Sequence, residues 1–321
     1  MLRVERSAGY IVFRIIDDKP EYLFLIREDD TLDYPKGHIE KGENELDAAN
    51  RELKEEAGIE VKRVAGFRYV YNYIFRDKYS GSNDLVKKYV TIFLGFLGDP
   101  NAKITISYEH KGYVWLSYDE AIDKIFKDEI GLLSSANSYI LKFIEKLKID
   151  QQYLKLKDEL NLKGNFVAGE GSLNADLMLI GESPGEEENK QLRPFVGRSG
   201  KLLDKILKDL SLDRESIFIT SIFPIYINGE KPSKDQIERS KPLLWKIIDI
   251  IKPKIVVLMG EYASSLIDEG AVTANHGRLI EKNGYKFMIT VHPAAALRSN
   301  EYKEILEGDL RKATEQLNIK K

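Results

Sequence analysis

Three glutamates set the first chemical question. Glu52, Glu55 and Glu56 stand at i, i+3 and i+4, so a helix through them stacks three carboxylates on one face. Like charges so placed repel, and a divalent cation is a natural reason to tolerate them. Magnesium, with manganese as a substitute, prefers carboxylate and polyphosphate oxygens together. A bare Glu-Leu-Lys-Glu-Glu run reads better as a solvated helix face, with Arg51 and Lys54 as ionic partners. Here Gly37, Glu43, Arg51 and Gly58 frame the run, and the solvated reading loses its force. Asn44 as N-cap, with Asp47 three positions on, and Gly58 as terminator predict a helix from 45 to 57. Leu46, Ala49 and Leu53 supply its core-facing stripe.

Residues 37–59 match the Nudix box at each defining position, and the first half of the chain resembles the Nudix hydrolases. The resemblance implies that Glu52, Glu55 and Glu56 bind metal, and that Glu55 and Glu56 help to activate water. It also implies that the Gly37 carbonyl is a ligand, with Arg51 and Glu43 bracing the loop against the helix. Residues 34–38, 88–94, 109–116 and 134–139 resemble the asymmetric diadenosine tetraphosphate hydrolases. On that resemblance Lys36, His38 and Lys88 face phosphates, and Glu109 is an extra metal ligand or catalytic base. Cations beside phosphate make physical sense. Tyr71, Tyr73 and Phe126 either stack on adenine or pack in the core; Trp115 reads as core. Residues 79–84 read as a hairpin tip, either a plain loop or a lid.

Beyond residue 149 short apolar runs recur at 177–180, 217–222, 255–259 and 287–291. Amphipathic stretches at 200–210, 234–251 and 301–317 alternate with them. That pattern predicts a parallel sheet with helices on both faces, binding ligands at the C-terminal strand ends. Gly181-Glu182-Ser183-Pro184-Gly185 and His292-Pro293 both stand at such ends. Separately each is a weak signal: a glycine-rich loop, an acidic run at 186–188 and a His-Pro turn are common.

With Arg193-Pro194-Phe195-Val196-Gly197-Arg198-Ser199-Gly200 and residues 292–298 added, residues 169–310 resemble the uracil-DNA glycosylase superfamily, in particular its iron–sulfur family 4. The resemblance implies that His292 donates a hydrogen bond to the leaving base and that Glu182 positions or activates the attacking water. Phe195 would stack on the flipped base, Ser221 would meet its edge, and Glu188 would belong to the same base-binding pocket and support it. Leu297 or Arg298 would wedge into the duplex. Gly197, Ser199 and Gly200 would lie close to the DNA backbone. His276 matches no motif position and reads as structural. Two departures stand out. The family's cluster cysteines are replaced by Ile225, Ser240 and a cysteine-free stretch near 151–162. Its base-reading Asn is replaced by Ser221, a single rotatable hydroxyl where an amide offers donor and acceptor together.

Elements must position these residues, and 321 residues suit two domains, expected at 1–148 and 149–321. The expected fold class is α/β: an N-terminal Nudix α/β/α sandwich with a mixed sheet, and a C-terminal glycosylase-like α/β/α domain with a parallel sheet. The chain has no cysteine, which excludes disulfides, thiolate zinc sites and an iron–sulfur cluster held by thiolates. A net charge of −3 excludes a chain that is basic throughout, though not a local basic groove. No run is long and apolar enough for a membrane span, and no signal-peptide pattern opens the chain, so a cytoplasmic location is expected. No motif sets an oligomeric state.

The sequence therefore predicts a bifunctional enzyme. One half would hydrolyse nucleoside polyphosphates, diadenosine tetraphosphate to ATP and AMP in the first instance, with Mg2+ as cofactor. The other would excise uracil or other deaminated bases from DNA. Two alternatives stand beside it. In one, the C-terminal half only binds nucleic acid or serves as a scaffold. In the other, the Nudix half acts on damaged dNTPs or on a capped RNA end.

Overall fold

The structure is a computed structural model that describes residues 2–76, 84–269 and 272–318. Two compact units divide the chain, Met1–Leu141 and Lys142–Lys321. The sequence pattern places the division at 148/149, and one helix runs through that point, from Ile130 to Glu159. Among the described residues no helix is long and apolar enough to cross a membrane. The hairpin-tip reading at 79–84 falls outside the described residues, save for Asp84.

In the first unit the chain forms β1 (Leu2–Ile16), β2 (Lys19–Ile26), β3 (Leu32–Asp33) and β4 (Lys36–His38). Then follow α1 (Glu45–Ala57), β5 (Lys62–Arg76), β6 (Leu85–Phe96), β7 (Gly112–Leu116), α2 (Tyr118–Ile122) and the start of α3 (Ile130–Glu159). The strands join in a mixed sheet of order β3-β2-β1-β6-β5, with β4 paired to β1 and β7 to β2. Only the β1–β6 pairing in it is parallel among those described. Asp17 and Asp18 turn the first hairpin with φ of 48° and 63°, the left-handed pair that matches the twist of two antiparallel strands.

Helix α1 begins where Asn44 accepts the Leu46 and Asp47 N–H groups, and ends at Gly58 in the left-handed region. Its stripe of Ala48, Ala49, Leu53 and Ala57 is buried against Ala8, Tyr10 and Val12 of β1 and Leu23 and Leu25 of β2. The opposite face is left for the carboxylates.

The second unit contains β8 (Glu170–Gly171), β9 (Leu177–Gly181), α4 (Glu186–Gln191), α5 (Arg198–Asp209), β10 (Phe218–Ser221) and α6 (Lys234–Ile251). It continues with β11 (Ile255–Met259), α7 (Glu261–Ser264), α8 (Val272–Asn275), β12 (Leu279–Lys282), β13 (Tyr285–Thr290), α9 (Pro293–Ala296) and α10 (Asn300–Asn318). Sheet order is β12-β13-β11-β9-β10-β8. The four central strands are parallel, as their unbroken apolar runs predict, while β8 and β12 add antiparallel edges. Strands β9, β10, β11 and β13 end in one row, at Gly181, Ser221, Met259 and Thr290.

The places where the resemblance would put cluster cysteines are filled by ordinary core. Ile225 and Ser240 are fully buried. Tyr153 stacks on Phe166 with centroids 5.4 Å apart, and its hydroxyl donates to the Ser240 carbonyl at 3.4 Å. Ser240 Oγ donates to the Ile222 carbonyl.

Candidate active sites

The first site is built around a single guanidinium. Arg51 donates from Nε to Glu43 at 2.8 Å and from Nη2 to the His38 carbonyl at 2.8 Å. Its Nη1 reaches Glu52 at 2.8 Å and Glu55 at 3.1 Å. One arginine thereby ties the loop after β4 to the acidic face of α1. Gly37 lets the Glu52 carboxylate approach closely: a Cβ on it would lie 2.1 Å from that carboxylate and displace it. Glu56 turns the other way. It is buried, its Oε2 accepts the Lys36 N–H at 2.9 Å, and desolvation pushes its carboxyl up to about 8.

Glu56 opens onto a cavity of about 510 Å3 that is also lined by Arg27, Asp33, Lys36, Lys88 and Glu109. Burial opposes the charge of Asp33, but Lys36 and Arg27, both bonded to it, outweigh burial and hold the carboxyl below its usual range. Burial lowers Lys88, with the Lys36 charge adding to the effect. Four of the expected phosphate-facing or catalytic groups, Lys36, Lys88, Glu56 and Glu109, thus share this cavity. His38 does not: its ring bonds Glu5 at 2.9 Å, and it is absent from the cavity wall because β4 pairs with β1 at Ser7 and turns the side chain toward that strand's surface. Gly37, Glu52 and Glu55 are not on the cavity wall; Arg51 bonds the two carboxylates.

Among the described residues no three acidic or histidine side chains converge on one point as a ready metal cage. The donor set still fits a hard divalent cation. It offers carboxylate oxygens on one helix face, a backbone carbonyl at a position without Cβ, and a buried acid, Glu56, whose ionised form a cation would favour. Tyr71 and Tyr73 stack on each other at 6.3 Å, and Tyr73 lines the cavity. Phe126 is exposed, and Trp115 packs under the Arg14 guanidinium. Sequence reading missed Arg27 and Asp33, because a charged pair on either side of a turn carries no local pattern.

The second site occupies the row of strand ends. A cavity of about 590 Å3 is lined by Glu182, Phe195, Ser221, Lys231, His292 and Arg298, among others. His292 caps α9: its Nδ1 accepts the Ala294 N–H at 3.2 Å. Burial pushes the imidazole down to about 4, so the ring is neutral and its proton sits on Nε2. That nitrogen lies 3.5 Å from where a Cβ on Gly181 would be, beside the Phe195 ring, whose centroid is 5.8 Å from that of His292.

Phe195 holds φ at 52° and packs its ring against Gly181, where a Cβ would come within 2.3 Å of it. The carbonyl of Phe195 fills the space of a Cβ on Gly200. Gly200 is thus buried against Phe195 rather than offered to a DNA backbone, which corrects that expectation. Burial raises the carboxyl of Glu182, and Lys231 partly opposes the rise. Ser221 is buried at the end of β10 within the cavity wall.

Glu188 lines the same cavity, where the sequence reading expects it as a support of the base pocket. It lies in a short helix, α4, and its Oε1 accepts from Val196 and Gly197 at 2.8 and 2.7 Å while Oε2 accepts Gly185 N–H at 3.0 Å. Three backbone donors occupy the carboxylate, so it braces the loop that carries Phe195. Arg298 lines the cavity, whereas Leu297 is 42 % exposed beside it. His276 pairs with Asp309 at 3.4 Å, away from the cavity. Lys231 was missed in the sequence; its loop offers no motif, and only the fold brings it to Glu182.

Comparison with known proteins finds a family for each half of the chain. A NUDIX domain model matches residues 5–135, and the uracil DNA glycosylase superfamily model matches residues 168–315. The type-4 uracil-DNA glycosylase of Sulfurisphaera tokodaii is 37 % identical over 184 residues, 54 % of this chain and 84 % of that protein. The asymmetrical bis(5'-nucleosyl)-tetraphosphatase of Mus musculus is 33 % identical over 147 residues, 42 % of this chain and 95 % of that protein. A solved binary complex of a C. elegans Ap4A hydrolase matches at 27 % identity with a TM-score of 0.38, covering 42 % of this chain and 97 % of its own. The chain belongs to two families at once: its first half is a Nudix domain and its second half a member of the uracil DNA glycosylase superfamily.

Proposed function

We propose that the chain is a bifunctional enzyme that hydrolyses nucleoside polyphosphates at its first site and excises deaminated bases from DNA at its second. The observation that carries the second activity is the neutral His292 with its Nε2–H beside Phe195. In excision the bond from C1′ to the base nitrogen breaks and its electron pair leaves with the base. Water supplies the oxygen that bonds to C1′, and Glu182 accepts the proton. A donor fixed at the base oxygen stabilises the negative charge as it develops. A neutral imidazole does so without needing to change its protonation state. Uracil is the proposed first substrate, with Ser221 admitting other deaminated bases.

The first activity is supported by the cationic wall of Lys36, Lys88 and Arg27 facing Glu56 and Glu109. Lys36 and Lys88 would hold phosphate oxygens, and Glu52, Glu55, Glu56 and the Gly37 carbonyl would hold Mg2+. The cation, when bound, lowers the pKa of a coordinated water and offsets polyphosphate charge. Glu109 stands in the same cavity to accept a proton. The proposed substrate is diadenosine tetraphosphate, cleaved to ATP and AMP.

One experiment tests both. Purified protein is given diadenosine tetraphosphate with Mg2+, and separately duplexes containing uracil, hypoxanthine or xanthine. Nucleotide products and abasic sites are scored. ATP with AMP, and abasic sites on at least the uracil duplex, are expected. Intact substrate in either assay overturns that half of the proposal.

A further inference from the structure

A bulky aromatic residue is uncommon in the left-handed region, and its presence there asks what holds it. At Phe195 the answer is a guanidinium that comes from the loop after α5. Arg214 donates from Nη2 to the Pro194 carbonyl and from Nη1 to the Phe195 carbonyl at 3.4 Å. The same Nη1 reaches Asp204 of α5 at 2.6 Å, and Nε reaches Glu170 of β8 at 2.9 Å. Glu170 also takes both forks of Arg193, from Nε at 2.8 Å and from Nη2 at 3.0 Å. One carboxylate on a sheet edge therefore ties down the chain just before Phe195 and the arginine that grips its carbonyls.

Arg214, Asp204, Glu170 and Arg193 are not among the residues that line the base cavity, whereas Pro194 and Phe195 are. What the first four control is the setting of the Phe195 ring, which is 6 % exposed and faces the cavity from one wall.

We propose that Arg214, oriented by Glu170, is a positioning residue that holds Phe195 in its strained setting and so fixes the stacking face of the base cavity. The proposal deepens the excision activity proposed above and rests on it for its kinetic consequence. A planar fork with several donors is needed here, and lysine offers only a point charge. Misplacing a group that orients the reacting base by about 1 Å can cost on the order of 100-fold in rate.

The test uses the full chain with Arg214→Met, Arg214→Lys and Glu170→Gln. Two readouts are taken: the crystal structure of each variant around Phe195, and kcat, KM and the pH profile on a uracil duplex. In Arg214→Met, Phe195 is expected to leave the left-handed region, and kcat is expected to fall about 10- to 100-fold. The shape of the pH profile should stay fixed, because Glu182 and His292 are untouched. Arg214→Lys should recover only part of the rate. Phe195 unmoved in Arg214→Met, or kcat at the wild-type level, overturns the proposal. Should Arg214→Met fail to fold, Glu170→Gln is judged by the same two readouts. If the wild type releases no base, the excision reading fails by itself, and the setting of Phe195 in the variants still decides the positioning role.

Discussion

Lys231 holds its ammonium 5.1 Å from the centroid of the Tyr262 ring, and from there its charge bears on Glu182. Burial raises the Glu182 carboxyl and Lys231 pulls it back. A base that must be ionised gives a rate that rises with pH through its pKa. Removing the ammonium therefore moves the acid limb of kcat/KM toward higher pH. Lys231 also lowers His292, so its loss moves both groups in the same direction. Lys231→Met compared with wild type across a pH series spanning the acid limb checks this, and a limb that stays in place refutes it.

His292 has a consequence for stability as well. Its imidazole titrates at about 4 in the folded protein, against 6.5 for an unperturbed histidine. Between those values the unfolded chain binds a proton that the folded chain does not, so stability falls as pH drops from about 6.5 toward 4. His292→Gln should flatten that part of the stability curve. Urea unfolding of both proteins at about pH 4.5 and about pH 7, with the same pH loss in each, would contradict the burial argument.

At the first site, Glu55→Gln and Glu56→Gln each should lower polyphosphate hydrolysis by a factor of about 100 or more, on the order of 3 kcal/mol in transition-state stabilisation. Both changes keep side-chain volume. In Glu56→Gln the new amide oxygen can still accept the Lys36 N–H. Folding and base excision are expected to be unchanged. Near-wild-type turnover at saturating Mg2+ in both variants would remove these residues from the chemistry.

On the proposed reading, Ser221 would meet the base with one hydroxyl. A pocket built to pair a base edge rejects wrong bases because they leave buried polar groups unpaired. Ser221→Asn should then raise uracil excision relative to hypoxanthine and xanthine, while His292→Ala should abolish release of every base. A single panel of duplexes, scored for abasic sites, measures both, and an unchanged preference in Ser221→Asn would show that the strand end does not read the base.

Ser240 carries a stability prediction. Its hydroxyl donates to the Ile222 carbonyl in a fully buried place. Ser240→Ala leaves that carbonyl without this donor and should cost about 1–3 kcal/mol, seen as a lowered Tm. Activity at the first site should survive at temperatures below the transition.

The sequence is most informative where function is written at helical spacing. Glu52, Glu55 and Glu56, with Asn44 and Gly58 at the ends, can be placed on α1 because each signal lies within a few residues of the next. His38 is harder: nothing local says that β4 pairs with β1 and delivers the ring to Glu5. The acidic run at 186–188 is by itself a common pattern, yet Glu188 is buried under three backbone donors. A signal is there, since Gly185 followed three residues later by Glu188 has the spacing of a capping box. Strand β5 escapes a sequence reading because its burial pattern is irregular and a register shift interrupts it between Val64 and Tyr69. Lys231, Arg214 and Glu170 are long-range facts, and only the assembled sheet brings them to their partners.

The interior around Tyr153, Phe166, Ile225 and Ser240 is closed by ring stacking and hydroxyl bonds. Such an interior has no oxidation state. With no cysteine in the chain, it has no thiolate on which a cluster could be built or from which a chelator could strip one. Cells starved of iron should therefore yield as much folded protein as cells grown in plenty.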